Sequence, residues 1–121
     1  SKNAFPHDYS LAYKDMVEVH KKVVSHLIWN NLQGKNIITH GLVETAITNP
    51  YAGYVTIKDS KLFHSVNKVS LDQAEIIITS VMEQDEKFKE YQLEKQEPIK
   101  EFSQGKSWCK IYLRNPNKAS N

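Results

Sequence analysis

The segment Lys106-Ser107-Trp108-Cys109-Lys110-Ile111-Tyr112-Leu113-Arg114 decides the predicted fold, because its residues alternate in character with a period of two. This alternation predicts a strand whose buried face is formed by Cys109, Ile111 and Leu113. The opposite face alternates cations with aromatics, namely Lys106, Trp108, Lys110, Tyr112 and Arg114. That face suits a charged ligand with stacking bases, such as nucleic acid, although an ordinary solvated strand face is the simpler interpretation.

The composition of the chain indicates one small globular protein. Its 121 residues are 40% hydrophobic, which is enough for a single core or for two small lobes that share one. No apolar run approaches the ~20 residues that span a bilayer, so we expect no membrane segment. The one cysteine, Cys109, excludes an internal disulfide framework and favours a reducing cytoplasm.

The net charge is only +2, but the charges are unevenly distributed. Residues 1–69 contain eight lysines, five acidic residues and all five histidines, whereas residues 70–101 contain four lysines and nine acidic residues. From Phe102 to Asn121 there are three lysines, one arginine and no acidic residue. A basic segment beside an acidic block fits a protein that presents one surface to phosphate.

The first half of the chain predicts a helix, a short helix and a hairpin. Apolar residues spaced three and four apart predict a long helix over about 10–33. Thr39 can cap a short helix that ends before Asn49-Pro50. Within residues 54–66, β-prone runs on both sides of Lys58-Asp59-Ser60-Lys61 predict a hairpin with a four-residue loop.

The second half predicts the same order of elements. Ser70 can cap a helix over about 71–84, and a second helix is predicted over about 85–95. Within residues 99–113, strands on both sides of Gln104-Gly105 predict a second hairpin, and its outer strand is the alternating segment quoted above.

Two helices followed by a hairpin is the layout of a winged helix-turn-helix unit, in which the second helix enters a DNA groove and the hairpin, or wing, lies along the backbone. The predicted fold is therefore α+β, with two winged helix-turn-helix-like units in one compact chain, an internal pseudo-dimer. The predicted divisions are an N-terminal arm at 1–9, a first unit at 10–69, a second unit at 70–115 and a flexible tail at 116–121. A generic α+β domain that contains two hairpins is the alternative.

The candidate DNA-binding residues follow from this layout. In the first unit, polar side chains suit base edges or phosphates and lysines attract the backbone; these residues are Thr39, His40, Thr45, Asn49, Lys58, Lys61 and His64. In the second unit the candidates are Lys87, Lys89, Lys106, Lys110 and Arg114. The wing is favoured over the second short helix, because that helix also carries acidic residues. Each lysine taken alone is typical of an ordinary solvated surface.

The sequence gives little support to other kinds of site. His20 and His26 lie six residues apart on one helix and do not share a face, which argues against a metal site. Neither a glycine-rich phosphate loop nor a nucleophile elbow is present, so we expect neither an enzyme nor a cofactor. Cys109 is expected to be a buried, inert thiol. Trp29, beside the apolar stripe of the long helix, is expected to seal a contact with the next element.

Three features of the chain resemble the TraN family, small cytosolic proteins encoded in type IV secretion operons of Gram-positive conjugative plasmids. They are the opening Asn3-Ala4-Phe5-Pro6-His7-Asp8-Tyr9, the paired helix-plus-hairpin units and the strand Trp108-Cys109-Lys110-Ile111-Tyr112. The resemblance covers nearly the entire chain. It implies a double-stranded DNA-binding protein, built as an internal dimer of winged helix-turn-helix units, that acts near transfer-operon or transfer-origin DNA.

The leading hypothesis from the sequence is a cytoplasmic, non-enzymatic monomer that binds double-stranded DNA as an accessory or regulatory protein of conjugative transfer and can also contact other conjugation proteins. Its short helices would enter the major groove and its basic wings would contact phosphates. The rival hypothesis is a protein–protein adaptor in a secretion or phage assembly, anchored by Trp108, Tyr112 and Tyr54.

Overall fold

The computed structural model describes residues 7–81 and 86–116, without the side chains of residues 7–10 and of Lys87. The helices are α1 (His7–Trp29), α2 (Gly41–Thr48) and α3 (Ile57–Ser60), and the strands are β1 (Ile37–Ile38), β2 (Ile76–Ser80), β3 (Lys100–Gln104) and β4 (Ser107–Leu113). Short 3-10 segments cover Pro50–Ala52, Leu71–Gln73, Glu86–Tyr91 and Leu93–Lys95. The predicted α+β class is confirmed.

The described strands form one four-stranded sheet in the order β1-β2-β4-β3. β1 and β2 run parallel, with Ile37 opposite Ile76, whereas β2 with β4 and β4 with β3 run antiparallel. β4 holds the alternating segment of the sequence, and it is an inner strand rather than the outer strand of a projecting hairpin. The edge strand beside it is β3.

Helices α1 and α2 cover one face of the sheet and form the main core with it. The helices contribute side chains that are at most 2% exposed, namely Val19, Val23, Val24, Leu27, Val43, Ala46 and Ile47. The sheet contributes Ile37, Ile76, Ile78, Cys109 and Ile111. Each large aliphatic side chain buried here stabilises the fold by about 1.5–3 kcal/mol relative to its exposed state, and this burial holds α1 against the sheet.

The 3-10 segment Glu86–Tyr91 packs on the opposite face of the sheet. Its Phe88 and Tyr91 point inward and form a second cluster with Ile38, Ile77 and Tyr112. The Tyr91 hydroxyl donates a hydrogen bond to the carbonyl of Leu71, which ties this segment to the chain before β2. The sheet is therefore covered on both faces near Tyr112.

The two helices predicted in the first half are confirmed, with small shifts at their ends. α1 ends at Trp29 rather than near residue 33, because Asn31 adopts φ +57° and the Leu32 amide donates a 2.8 Å hydrogen bond to the carbonyl of Leu27. α2 starts after His40, which occupies the N-cap position predicted for Thr39, and it ends before Asn49 as expected.

The hairpin predicted within residues 54–66 is wrong. Thr56 caps the short helix α3 instead, since its Oγ1 accepts a 3.0 Å hydrogen bond from the amide of Asp59. The β-prone residues of the predicted strands, Val55, Phe63 and Val66, are buried in the main core. These residues are apolar because they pack in the core, not because they pair as strands. A short apolar run in a sequence does not distinguish the two cases.

The helices predicted over 71–84 and 85–95 are also wrong for the described residues. The chain makes a 3-10 turn at Leu71–Gln73 and then extends as β2, because the β-branched run Ile76-Ile77-Ile78-Thr79 favours a strand that is buried on both faces. The second predicted helix is two 3-10 segments, separated at Gln92, where φ is +52°.

The described elements of the two predicted units do not repeat. Helices dominate the first unit and strands the second, and β1 of the first unit pairs with β2 of the second within one sheet. This arrangement differs from two equivalent winged units. The second hairpin is confirmed as β3–β4, with its turn at Gly105-Lys106, one residue later than predicted. Most of the predicted arm at 1–9 and tail at 116–121 lies outside the described residues.

Candidate nucleic-acid interface

Two residues predicted to contact DNA, Thr39 and His40, are buried. The Oγ1 of Thr39 donates a 2.8 Å hydrogen bond to the carbonyl of Ile78, and its amide donates one of 2.8 Å to Oδ1 of Asn67. The ring of His40 lies 4.6 Å from the ring of Phe88, centroid to centroid. Both side chains join elements of the fold, so in this structure neither is available to a duplex.

The other candidates of the first half lie on the surface. Thr45 is exposed on α2, and Oδ1 of Asn49 accepts a 2.9 Å hydrogen bond from the amide of Tyr51 that begins a 3-10 turn. Lys58, Lys61 and His64 are exposed along α3 and the turn that follows it. The three basic residues therefore stay close in sequence on one solvated segment, although that segment is not a wing.

The lysines of the second half lie in different settings. The side chain of Lys87 lies outside the described residues, and Lys89 pairs with Glu86 at 3.2 Å. Lys106 is exposed in the turn of the β3–β4 hairpin. Lys110 is half-buried on β4, and its Nζ lies 4.9 Å from the centroid of the Trp108 ring. The ammonium of Lys110 is thus drawn to an aromatic face of its own strand.

Arg114 is held by the fold rather than free to meet a ligand. Its Nη1 donates hydrogen bonds of 2.9 and 3.0 Å to the carbonyls of Asp72 and Ala74. Its guanidinium carbon lies 5.2 Å from the centroid of the Tyr91 ring. Because one planar guanidinium makes all three contacts, its role as a phosphate ligand conflicts with its structural role.

The aromatics proposed as anchors of a protein–protein adaptor are used inside the fold. Tyr112 is buried in the second cluster, and Tyr54 is half-buried with its ring 5.9 Å from that of His20. Trp108 is half-buried next to Lys110. None of the three side chains is exposed, so the adaptor hypothesis loses the residues on which it depended.

A groove of about 440 Å³ lies between the C-terminal half of α1 and strand β3. It is lined by Lys21, Lys22, Ser25, His26, Trp29, Asn30, Lys100 and Phe102, and we call it the α1–β3 groove. Spacings of three and four residues place Lys22, His26 and Trp29 along one side of α1. Lys100 and Phe102 pair with Ile111 and Cys109 of β4, so they share the helix-facing side of the sheet.

The ring of Phe102 gives the α1–β3 groove an aromatic wall. Phe102 is partly buried against the main core, and the His26 ring meets it edge to face at 5.7 Å. The Nζ of Lys100 lies 5.4 Å from the Phe102 centroid. Burial, and then the nearby Lys100 ammonium, lower the pKa of His26 below its ordinary value. The positive charge of the groove at neutral pH therefore comes from its lysines.

Among the described residues, the lysines of the groove have few acidic partners. Lys21 pairs with Glu18 at 3.5 Å, but both side chains are well exposed, so the pair is weak. Within the described part of the chain, Lys22 and Lys100 form no ion pair. No described carboxylate lines the groove. The α1–β3 groove is consequently a cationic surface with aromatic side chains.

Trp29 contradicts its expected role, because its side chain is 87% exposed. It follows the buried Leu27 by two residues, which turns the helix by about 200° and places Trp29 on the side away from the core. The spacing of Lys22, His26 and Trp29, which places them on one side of the helix, could have been recognised in the sequence. Their meeting with Lys100 and Phe102 could not, because it depends on how α1 lies across the sheet.

No protein-family model, no curated protein and no solved structure matches this chain. The resemblance to the TraN family therefore stays a prediction. Of the helices described, none has the length and apolar content needed to cross a membrane. Nor do the described residues bring three or more histidine, cysteine or acidic side chains together in a way that could hold a metal ion.

Proposed function

We propose that the protein is a non-enzymatic DNA-binding protein that holds the phosphate backbone of duplex DNA along the α1–β3 groove. The observation that carries the proposal is the groove itself: three lysines line it together with an exposed tryptophan, and no described carboxylate does. Lysine side chains on a solvated rim attract phosphates without reading sequence. Lys22 and Lys100 are the two principal contacts, and Lys21 adds to them once it leaves Glu18.

The chemistry of the groove favours a polyanion over a protein partner. The buried centre of a protein–protein interface is apolar and contains few charges, and lysine is depleted there. Here the charged groups lie on both sides of the groove, from α1 and from β3. A continuous negatively charged backbone can contact both sides at once.

The position of the β3–β4 hairpin also supports this proposal. The β3–β4 hairpin lies beside a helix, and its edge strand supplies a lysine toward the same groove as that helix. The proposal needs only this helix and this hairpin, not two repeated units. A role as an accessory or regulatory protein of plasmid transfer comes from the resemblance to the TraN family and is the wider context that we propose for this binding.

The test compares two double variants that change the charge equally. Lys22→Glu with Lys100→Glu reverses two charges in the groove, and Lys58→Glu with Lys61→Glu reverses two exposed charges on the α3 segment. Binding of a fluorescently labelled duplex is followed by anisotropy at about 50 mM salt, where electrostatic binding is strong. We expect the groove variant to lose at least about tenfold in affinity and the α3 variant to lose no more than about threefold.

The salt dependence gives a second readout. With two to three phosphate contacts, the logarithm of wild-type affinity should fall against the logarithm of salt concentration with a slope of about −2 to −3. Equal losses in the two double variants would show that net charge, not the groove, determines binding. An unchanged affinity in the groove variant would contradict the proposal outright.

A further inference from the structure

We infer that Trp29 is a stacking platform for an unpaired base, so that the α1–β3 groove prefers DNA with a single-stranded overhang to fully paired DNA. This inference rests on the proposed function, since the lysines of the same groove hold the backbone. It adds the form of DNA that the site selects.

The exposure of Trp29 is the first observation. A tryptophan side chain that is 87% exposed offers the flat faces of its ring to solvent, although tryptophan side chains are highly buried on average. Base pairs inside a duplex are already stacked on both faces, so the ring can stack only on an unpaired or terminal base.

The position of the lysines is the second observation. Lys22 lies two helical turns before Trp29, about 10 Å along the axis of α1, and Lys100 faces it from the strand. A base stacked on Trp29 would therefore share its groove with one cation from the helix and one from the strand, which can contact its neighbouring phosphates. Grooves that bind single strands combine the same two elements, a positively charged track and aromatic side chains along it.

Trp108 lacks the exposure of Trp29. It is half-buried, and the Lys110 ammonium lies over its ring at 4.9 Å. The chain contains two tryptophans, so Trp108→Phe leaves Trp29 as the only tryptophan fluorophore. This variant separates the optical signal of the proposed platform from that of the inner strand.

The experiment uses three probes: a blunt duplex, the same duplex with a short thymine overhang, and the overhang strand alone. In the Trp108→Phe protein, we expect the overhang and the single strand to quench Trp29 emission strongly, and the blunt duplex, which offers only the open faces of its two terminal base pairs, to quench it much less. Trp29→Ala in the wild-type background should lose about tenfold in affinity for the overhang probe and less than about twofold for the blunt duplex. Trp29→Phe should retain most of the preference, because its ring still stacks.

The outcomes separate the two proposals. If Trp29→Ala weakens the blunt and overhang probes equally, or if Trp29 emission responds equally to both, the stacking inference is wrong and the proposed function stands. If wild-type protein binds the overhang no better than the blunt duplex, the inference is likewise overturned. If Lys22→Glu with Lys100→Glu leaves binding to every probe unchanged, or if wild-type protein binds none of them, both proposals fail.

Discussion

The carboxylate of Asp15 on α1 lies against Gly105 in the turn of the β3–β4 hairpin, in the space that a β-carbon at residue 105 would fill. An ideal β-carbon there would lie 3.0 Å from Cγ of Asp15 and closer still to its Oδ2. Gly105 also adopts φ +58°, a left-handed conformation that favours glycine. Helix α1 and the turn of the β3–β4 hairpin thus approach each other closely.

Gly105→Ala should lower the free energy of unfolding by about 1–2 kcal/mol, because the new methyl group adds left-handed strain and displaces the Asp15 carboxylate. Gly53 is the matched control: its φ is +94°, but no heavy atom lies within 4 Å of an added β-carbon, so Gly53→Ala tests strain alone. Urea unfolding gives both values. In an Asp15→Ala background the cost at Gly105 should fall, and an unchanged cost there would show that Asp15 does not contribute.

Thr39→Val should destabilise the protein by about 1–2 kcal/mol and leave its affinity for DNA unchanged. The substitution preserves the shape of the side chain but removes the buried hydroxyl, which donates a 2.8 Å hydrogen bond to the carbonyl of Ile78. Thr45→Val, at an exposed position of α2, is the control and should cost less than about 0.5 kcal/mol. A loss of DNA affinity without a loss of stability would restore Thr39 to the binding surface that the sequence predicted.

The sequence predicted α1, α2 and the β3–β4 hairpin because these elements carry their own periodicity. It failed at residues 54–66 and 71–84, where the same apolar residues satisfy a helix, a strand or a buried loop. Ile76, Ile77 and Ile78 fit helical spacing as well as β-branched strand preference, and only their place inside the sheet decides between the two.

The candidate site was predictable only in part. The side of α1 that carries Lys22 and Trp29 could be drawn from helical geometry alone. Lys100 lies in the acidic stretch of residues 70–101, and no local sequence pattern links it to α1. The cations in and after strand β4 predicted a DNA-binding surface. However, β4 is paired on both sides within the sheet, and Arg114, which follows it, donates hydrogen bonds to backbone carbonyls.

Stability should fall as the pH drops from about 7.5 to 5.5. Burial lowers the folded-state pKa of His20 below its ordinary value of 6.5, so the unfolded chain binds the proton more readily. The stability that the neutral His20 contributes is fully present above the pKa of the unfolded state. It is lost as the pH falls from that value toward the lower pKa of the folded state. His20→Phe, which keeps a ring against Tyr54, should flatten part of this profile in denaturant titrations. A profile identical to that of the wild type would exclude His20 as a source.

The thiol of Cys109 should be unreactive in the native protein. The side chain is 1% exposed, and burial raises its pKa to about 12, so very little thiolate forms near pH 8. We expect a thiol reagent such as Ellman's to react at least about 100-fold more slowly with the native protein than with the chain in concentrated guanidinium chloride. Comparable rates in the two conditions would mean that β4 opens readily in the folded state.

Arg114→Gln should lower the free energy of unfolding by about 1–3 kcal/mol without changing the salt dependence of DNA binding. The arginine donates to the carbonyls of Asp72 and Ala74 and covers the Tyr91 ring, and glutamine cannot reproduce the charged fork or its stacking. Lys106→Gln removes the same charge from the exposed hairpin turn and should leave stability within about 0.5 kcal/mol of the wild type. If Arg114 contacts a phosphate instead, its substitution should reduce the magnitude of the salt slope by about 1. The two measurements together therefore decide whether the basic end of β4 serves the fold or the ligand.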